Sequence, residues 1–314
     1  MKKLLAGIAA AALMTSAALA QDITLGLSVD QLFESRVGVN DAIKAEAADR
    51  GYGLIEVVAD GDAQAQNAQI QSLITQGVDA ILVCAVDQNT IERALIAAKR
   101  AGIPVVAYDR DLPDSQVVAA FVGPDSLIDG RLAGEYMANA LKDRAGEIVL
   151  VELIGALNDQ NGIDRSAGWR EEIAKLDNVK IIEVPTDWDS SRALSGTQNA
   201  FQANPDIDGV FAATDTHFPA VETVLTDMGK LGGEGDDRVI LTGINGSGDG
   251  YAAVTGGTAD AFVVMNLDQT GRTAVALAAD LIAGKEVPRV NVIGGAIYDA
   301  AGAEANKASI WGAK

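Results

Sequence analysis

The residues whose chemistry stands out are Ala107-Tyr108-Asp109-Arg110-Asp111. A carboxylate and a guanidinium sit side by side, directly after the apolar run Pro104–Tyr108. Asp109 can accept hydrogen bonds from two hydroxyls, and Arg110 offers a planar fork of donors to neighbouring oxygens. The pair suits a polyhydroxyl compound; the competing reading is a surface salt bridge on a loop. Other constellations are weaker. His217 is the single histidine, with Asp215 two residues away, but no G-x-S-x-G nucleophile motif accompanies it. A loop or pocket-rim histidine is expected. Gly243, Gly246, Gly248 and Gly250 lack both G-x-G-x-x-G spacing and a Walker lysine, which leaves a tight turn allowing close backbone approach. Asp159-x-Asn161-Gly162 has the opening spacing of a calcium loop without its terminal Glu. No His/Cys cluster is present, so neither a metal nor a cofactor is expected.

The elements that must position Asp109 and Arg110 follow from periodicity. Apolar runs at 23–29, 52–58, 78–86 and 104–108 alternate with helical patterns at 38–50, 63–75 and 90–101. The runs are continuously apolar, as parallel strands covered on both faces require. Gly51, Gly77 and Gly102 punctuate the joints. This is α/β architecture built from βαβ units, and ligands of such sheets bind outside the carboxyl ends of the strands. The pattern restarts after Gly123. Helices are expected at 125–141, 162–176, 190–204 and 220–228, and strands at 147–154, 179–184, 208–213 and 239–243. Gly77-Val78-Asp79-Ala80-Ile81 is echoed by Asp206-Ile207-Asp208-Gly209-Val210, so the halves read as two copies of one lobe.

The N-terminus carries Lys2 and Lys3, an apolar run from Leu4 to about Met14, and the small residues of Ala18-Leu19-Ala20. That is a secretory signal peptide cut after Ala20, too short in its apolar run for a span of ~20 residues. The 294 residues from Gln21 onward exceed one typical core, and two domains are expected. Removing Lys2 and Lys3 takes the formal charge from −20 to −22. So acidic a chain is repelled by phosphate backbones and anionic lipid, which argues against nucleic-acid and membrane-surface partners. Cys84 is the single cysteine, so no internal disulfide can form; within Ala80–Val86 it reads as a core residue. Trp169 and Trp311 read as packing residues.

The frame Gly102-Ile103-Pro104-Val105-Val106-Ala107-Tyr108-Asp109-Arg110, preceded by Gln76-Gly77-Val78-Asp79-Ala80-Ile81-Leu82, resembles the ribose/xylose class of periplasmic sugar-binding proteins. The segment Gly26–Arg36 resembles the xylose-binding branch in particular. The resemblance implies two Rossmann-like lobes with parallel sheets, joined by a hinge of three crossings near Val122–Gly123, Asn266–Leu267 and Ile293–Gly295. The lobes would be 21–122 plus 267–293, and 123–266 plus 294–314, after the 1–20 signal peptide. It also implies a set of ligand-contacting residues. Asp109 and Arg110 match the family's Asp-Arg pair. Arg36 matches an Arg of the xylose branch, with Ser35 where that branch has an acid. Asp159 and Asn161 match an Asp-x-Asn loop before a helix, Trp188 an aromatic stacked on the sugar face, and Asn266 a polar contact at a hinge crossing. Phe33 is a further candidate wall. Two positions depart from the pattern: the family's Asn-Asp is Thr214-Asp215 here, and its Asp after Leu241-Thr242-Gly243 is Asn245.

The function so implied is capture of a monosaccharide, a pentose such as xylose, or a sugar alcohol in the periplasm. Cleft closure would then allow delivery to an ABC permease in the inner membrane. A monomer is expected, and a chemoreceptor is a further partner that the closed form could serve. The alternative is a secreted carbohydrate-active enzyme, in which Asp109 and Asp159 flank a glycosidic bond at roughly 5–9.5 Å.

Overall fold

A computed structural model describes residues 23–232 and 238–313. The expected signal peptide and its cleavage site lie outside the described residues. The first half runs β1 (Thr24–Val29), α1 (Glu34–Asp49), β2 (Gly53–Val58), α2 (Ala63–Gln76), β3 (Ala80–Val83), α3 (Glu92–Arg100), β4 (Val105–Tyr108) and β5 (Ala120–Pro124). The second runs α4 (Ser126–Leu141), β6 (Ile148–Ile154), α5 (Gln160–Ile173), β7 (Val179–Pro185), α6 (Ser190–Ala203), β8 (Gly209–Ala212), α7 (Phe218–Asp227), β9 (Ile240–Asn245), α8 (Gly248–Gly256) and β10 (Ala261–Val264). The chain closes with α9 (Leu267–Ile282), β11 (Val290–Ile293), β12 (Ala296–Tyr298) and α10 (Ala300–Ala305).

These strands form two six-stranded sheets, ordered β2-β1-β3-β4-β5-β11 and β7-β6-β8-β9-β10-β12. The orders are equivalent strand for strand, so the faint echo in sequence is a duplication of topology. Pairing is parallel except for β12, which runs antiparallel to β10. Each sheet takes its sixth strand from the C-terminal segment. The chain therefore passes from the first sheet to the second after β5, back after β10, and across again between Ile293 and Ala296. β5 runs through Gly123 to Pro124 rather than ending at the expected crossing.

Each sheet is covered on both faces. In the first, Leu25, Leu27, Val106 and Val122 pack with Ile43 of α1 and Val275 of α9. On the opposite face, Ile81, Val83 and Val105 pack with Ile70 of α2 and Leu95 of α3. Cys84 is fully buried on the first of these faces, with α1 and α9. Val151, Leu153 and Val210 of the second sheet meet Phe201 and Val221, while Leu150 and Phe211 meet Met137 and Trp169. The continuous apolarity of the strands has this two-sided burial as its cause.

Helix starts are fixed locally. Asp62, Asp125, Asp159, Asp189 and Asp299 each cap a helix by accepting from a backbone N–H in its first turn. α1 begins at Glu34, four residues earlier than the expected helix, and so carries Arg36 in its first turn. Two glycines fix how closely α4 and α5 pack. A Cβ on Gly130 of α4 would lie 2.2 Å from the Arg165 carbonyl oxygen, and one on Gly168 of α5 would lie 2.0 Å from that of Leu127. Bare backbones let the two helices close together, and that contact sets the position of Arg165.

Candidate functional site

Loops at the carboxyl ends of both sheets face each other across a cleft with a cavity of about 230 Å³. Phe33, Ser35 and Arg36 at the start of α1 line it, with Asp109 and Arg110 after β4. Asp159, Asn161 and Arg165 come from the start of α5, Trp188 and Ser190 from the start of α6, Thr214 and Thr216 from after β8, Asn245 from the end of β9, and Met265 from after β10.

On the first wall the charges pair with one another. Arg36 donates from Nε to Asp30 Oδ1 at 2.7 Å and from Nη2 to Asp109 Oδ2 at 2.8 Å. Arg110 Nη1 lies 2.8 Å from Asp30 Oδ2 and also donates to the Ala85 carbonyl at 2.9 Å. Arg110 then spans the cleft, with Nε 2.7 Å from Asp159 Oδ2. Burial opposes the charge on Asp109, but the guanidinium groups of Arg36, Arg110 and Arg165 together outweigh it and hold the carboxyl below its ordinary value. A general acid needs the reverse, so Asp109 is unsuited to protonating a leaving group.

Asn161 ties the walls together. Its Nδ2 donates to the Asp109 carbonyl oxygen at 3.2 Å and to Oδ2 at 3.3 Å, while its Oδ1 accepts from Ser126 at 2.9 Å. Trp188 Nε1 donates to Asp159 Oδ2 at 3.0 Å, and the Arg165 guanidinium lies 5.8 Å from the Trp188 ring. A Cβ on Gly155 would fall 2.2 Å from the Trp188 ring, so only a glycine leaves the indole its place. Asp109 (φ 62°) and Trp188 (φ 63°) both hold left-handed backbone, strain concentrated at the cleft.

The two departures from the family pattern touch each other. Asn245 Nδ2 donates to Thr214 Oγ1 at 2.8 Å, and Asn245 Oδ1 accepts from Arg165 Nη1 at 3.2 Å. The one amide thus donates to Thr214 and accepts from Arg165, so the two departures form a hydrogen-bonded pair. Behind them Trp311 Nε1 donates to the Asn245 carbonyl at 2.8 Å, giving this packing residue a polar task.

The sequence-derived set thus converges, with one correction. Asn266 is exposed and does not reach the cavity: its side chain caps α9 by accepting from the Gln269 N–H at 3.1 Å. Met265 takes the place at the cleft. An asparagine preceding a helix is a strong capping signal, and here the cap won. His217 also differs from expectation. It is fully buried behind the second wall, not on a rim. Asp215 accepts from the Gly246 and Ser247 N–H groups at 2.7 and 3.0 Å, so the glycine-rich segment is the close backbone turn expected of it. The cavity also takes Glu34, Arg165, Ser190, Thr216 and Met265, which the sequence pattern did not single out. A signal for Arg165 was present: it lies four residues after Asn161, on the same helical face. Among the described residues no group of three His, Cys, Asp or Glu is placed to hold a metal.

A family model described as a periplasmic binding protein domain matches residues 28–286. The ribose import binding protein of Escherichia coli (strain K12) is 29% identical over 292 residues, covering 91% of this chain and 95% of its own length. A xylitol-binding protein of Mycolicibacterium smegmatis (strain ATCC 700084 / mc(2)155) is 30% identical over 231 residues, 73% of this chain and 63% of its own. A solved Mycobacterium smegmatis structure in complex with β-D-fucofuranose matches with a TM-score of 0.84 at 29% identity, covering 90% of this chain and 93% of that one. The chain therefore belongs to the periplasmic binding protein family, among the sugar-binding components of ABC transporters and not among enzymes.

Proposed function

We propose that this chain captures a neutral monosaccharide or sugar alcohol, with pentoses such as xylose and ribose the first candidates, and delivers it to an ABC permease. The observation that carries this reading is the charge balance of the cleft. Besides the solvent-exposed Glu34, which also lines the cavity, three guanidinium groups, Arg36, Arg110 and Arg165, meet three carboxylates, Asp30, Asp109 and Asp159. These guanidiniums and carboxylates are all buried except Arg110, whose side chain is 11% exposed. A charged ligand would leave that set uncompensated, at a cost of several kcal/mol in a buried site. A polyhydroxyl compound instead finds both donors and acceptors. The cavity holds the volume of about eight waters at ~30 Å³ each, which fits one sugar ring and excludes an oligosaccharide. Relatives that bind ribose, xylitol and a fucofuranose support a small polyhydroxyl ligand here.

The lobes, 21–122 with 267–293 and 123–266 with 294–314, would close as bodies about the three crossings. The ligand favours closure because its full set of partners exists only when both walls are present. Export from the N-terminal signal peptide would place the protein in the periplasm as a monomer, where the permease, and in some settings a chemoreceptor, reads the closed form. A thermal-shift screen of pentoses, hexoses, sugar alcohols and inositols tests the reading. A ligand at 100 times its Kd should add about 2.7 kcal/mol of stability. Stabilisation by sugar acids or phosphates with none by neutral sugars or polyols would overturn it.

A further inference from the structure

His217 is the chain's single histidine, and its buried ring lies between two hydroxyls. Nε2 is 3.1 Å from Thr186 Oγ1, and Nδ1 is 3.4 Å from Ser190 Oγ, a residue of the cleft wall. Burial pushes the imidazole pKa down to about 4, against a weaker pull from Asp189, so the ring is neutral near pH 7 and carries one hydrogen.

Thr186 decides which nitrogen holds it. Thr186 Oγ1 lies 2.7 Å from the Ile154 carbonyl oxygen. Two oxygens so close need a hydrogen between them, and a carbonyl has none to give, so the threonine donates. That uses its only hydrogen. The remaining lone pairs accept, one from the Trp188 N–H at 3.2 Å and the other from the imidazole. Nε2 must therefore carry the proton, and Nδ1 is a bare acceptor. An unmet acceptor in a buried ring costs about 1–3 kcal/mol, and the Ser190 hydroxyl is the donor within reach. Ser190 has a single hydrogen and directs it backwards.

We infer that Ser190 faces the cleft solely as a hydrogen-bond acceptor, with its polarity fixed by the Ile154–Thr186–His217 relay. The inference rests on the cleft being the sugar site. It makes Ser190 a specificity-determining residue and His217 a positioning residue. The bound sugar or polyol must present a hydroxyl hydrogen at that point, and an analogue offering a fluorine or a bare methylene there leaves lone pairs unpaired and is discriminated against. Donation from the ligand to Ser190 would in turn strengthen and shorten the long Ser190–His217 contact through hydrogen-bond cooperativity.

The uniqueness of His217 gives a test that needs no ligand. In the full-length, untagged, ¹⁵N-labelled protein the imidazole nitrogens belong to one residue. The expected spectrum shows a protonated Nε2 and a bare Nδ1, unchanged from pH 8 to pH 6. A proton on Nδ1, or an imidazolium at pH 6, overturns the inference. The second arm is calorimetry with D-ribose, xylitol and their monodeoxy and monofluoro derivatives, on wild type and Ser190→Ala. At one hydroxyl position, deoxygenation or fluorination should weaken wild-type binding about tenfold or more and leave Ser190→Ala indifferent. Fluorine tolerated at every position by the wild type would also overturn it. If no probe binds, the assignment of the cleft to these sugars fails, while the spectrum still decides the polarity of Ser190.

Discussion

The wall contributed by the first sheet is built from charges, and that of the second chiefly from neutral hydrogen-bonding groups. Asp30, Arg36, Asp109 and Arg110 form a connected chain of ion pairs. Across the cleft, Ser190, Thr214, Thr216 and Asn245 present hydroxyls and an amide, with Arg165 and Asp159 at the border. Charged groups have a fixed hydrogen-bond polarity: a guanidinium only donates and an ionised carboxylate only accepts. Hydroxyls and amides have none of their own and must be told which way to point. On the second wall that instruction comes from behind, from Arg165 holding the Asn245 amide and from His217 holding Ser190. The first wall binds its own members strongly, and the second leaves adjustable groups for the ligand.

The largest effect should come from taking the centre out of the charged wall. Arg36→Met leaves Asp30 and Asp109 buried without their shared partner, at about 3–5 kcal/mol of stability. Urea denaturation measures it, and a loss under about 1 kcal/mol, the level of an exposed pair, would mean the wall is wetter than the 4% exposure of Arg36 implies. Next come Asp109→Asn and Arg110→Lys, the second of which keeps the charge but loses the planar fork. Both should weaken sugar binding by about 2–5 kcal/mol. Asn tolerates the left-handed backbone of Asp109, so that variant isolates charge from strain. Affinity within twofold of wild type in both would move the sugar site off this wall.

Trp188→Ala, at the border between the walls, should cost roughly 2–4 kcal/mol of affinity, the range of a buried aromatic anchor. Calorimetry showing unchanged affinity would make it a packing residue. A finer test of the border is Gly155→Ala. The added methyl meets the indole, so affinity should fall with a stability change of about 1–3 kcal/mol.

A further effect concerns a charge beneath the second wall and appears only as a slope of stability with pH. Burial pushes the Asp129 carboxyl up to about 7, only partly offset by Arg165. An unfolded aspartate titrates near 4, so between about pH 4 and 7 the native state holds more protons than the unfolded chain. Stability should therefore fall as pH rises through that window, by up to about 1.4 kcal/mol per unit for this one proton. Asp129→Asn should remove that part of the slope, read as the difference between the two proteins' stability curves from pH 4 to 8. Parallel curves would show that the second wall carries a full charge beneath it after all.

Most of the scaffold was legible because its determinants are local. Buried parallel strands must be apolar throughout, and aspartates or glycines mark where helices start and stop, so the alternation up to β9, apart from β5, was legible to within about four residues. β5, α8, β10, β11, β12 and α10 went unassigned; β11 and β12 are short strands at sheet edges, where one flank is solvated and the apolar signal thins. Asp109 and Arg110 were legible because the end of a strand in such a sheet is a fixed place. Asn266 was misplaced by one residue, since capping α9 and reaching the cleft are exclusive tasks for one side chain.

By itself the sequence determined a duplicated α/β chain, with a carboxylate and a guanidinium where a polyol would meet a sheet edge. Only the tertiary structure decided that Arg165 joins them, that Asn245 and Thr214 hydrogen-bond to each other, and that His217 stands behind Ser190. The reason is separation along the chain. Strand ends are set by neighbours a few residues away, whereas Arg165 and Asn245 are 80 residues apart and Ser190 and His217 are 27 apart. Their contact, and the direction in which each hydrogen points, exists only once two sheets have brought their carboxyl ends face to face.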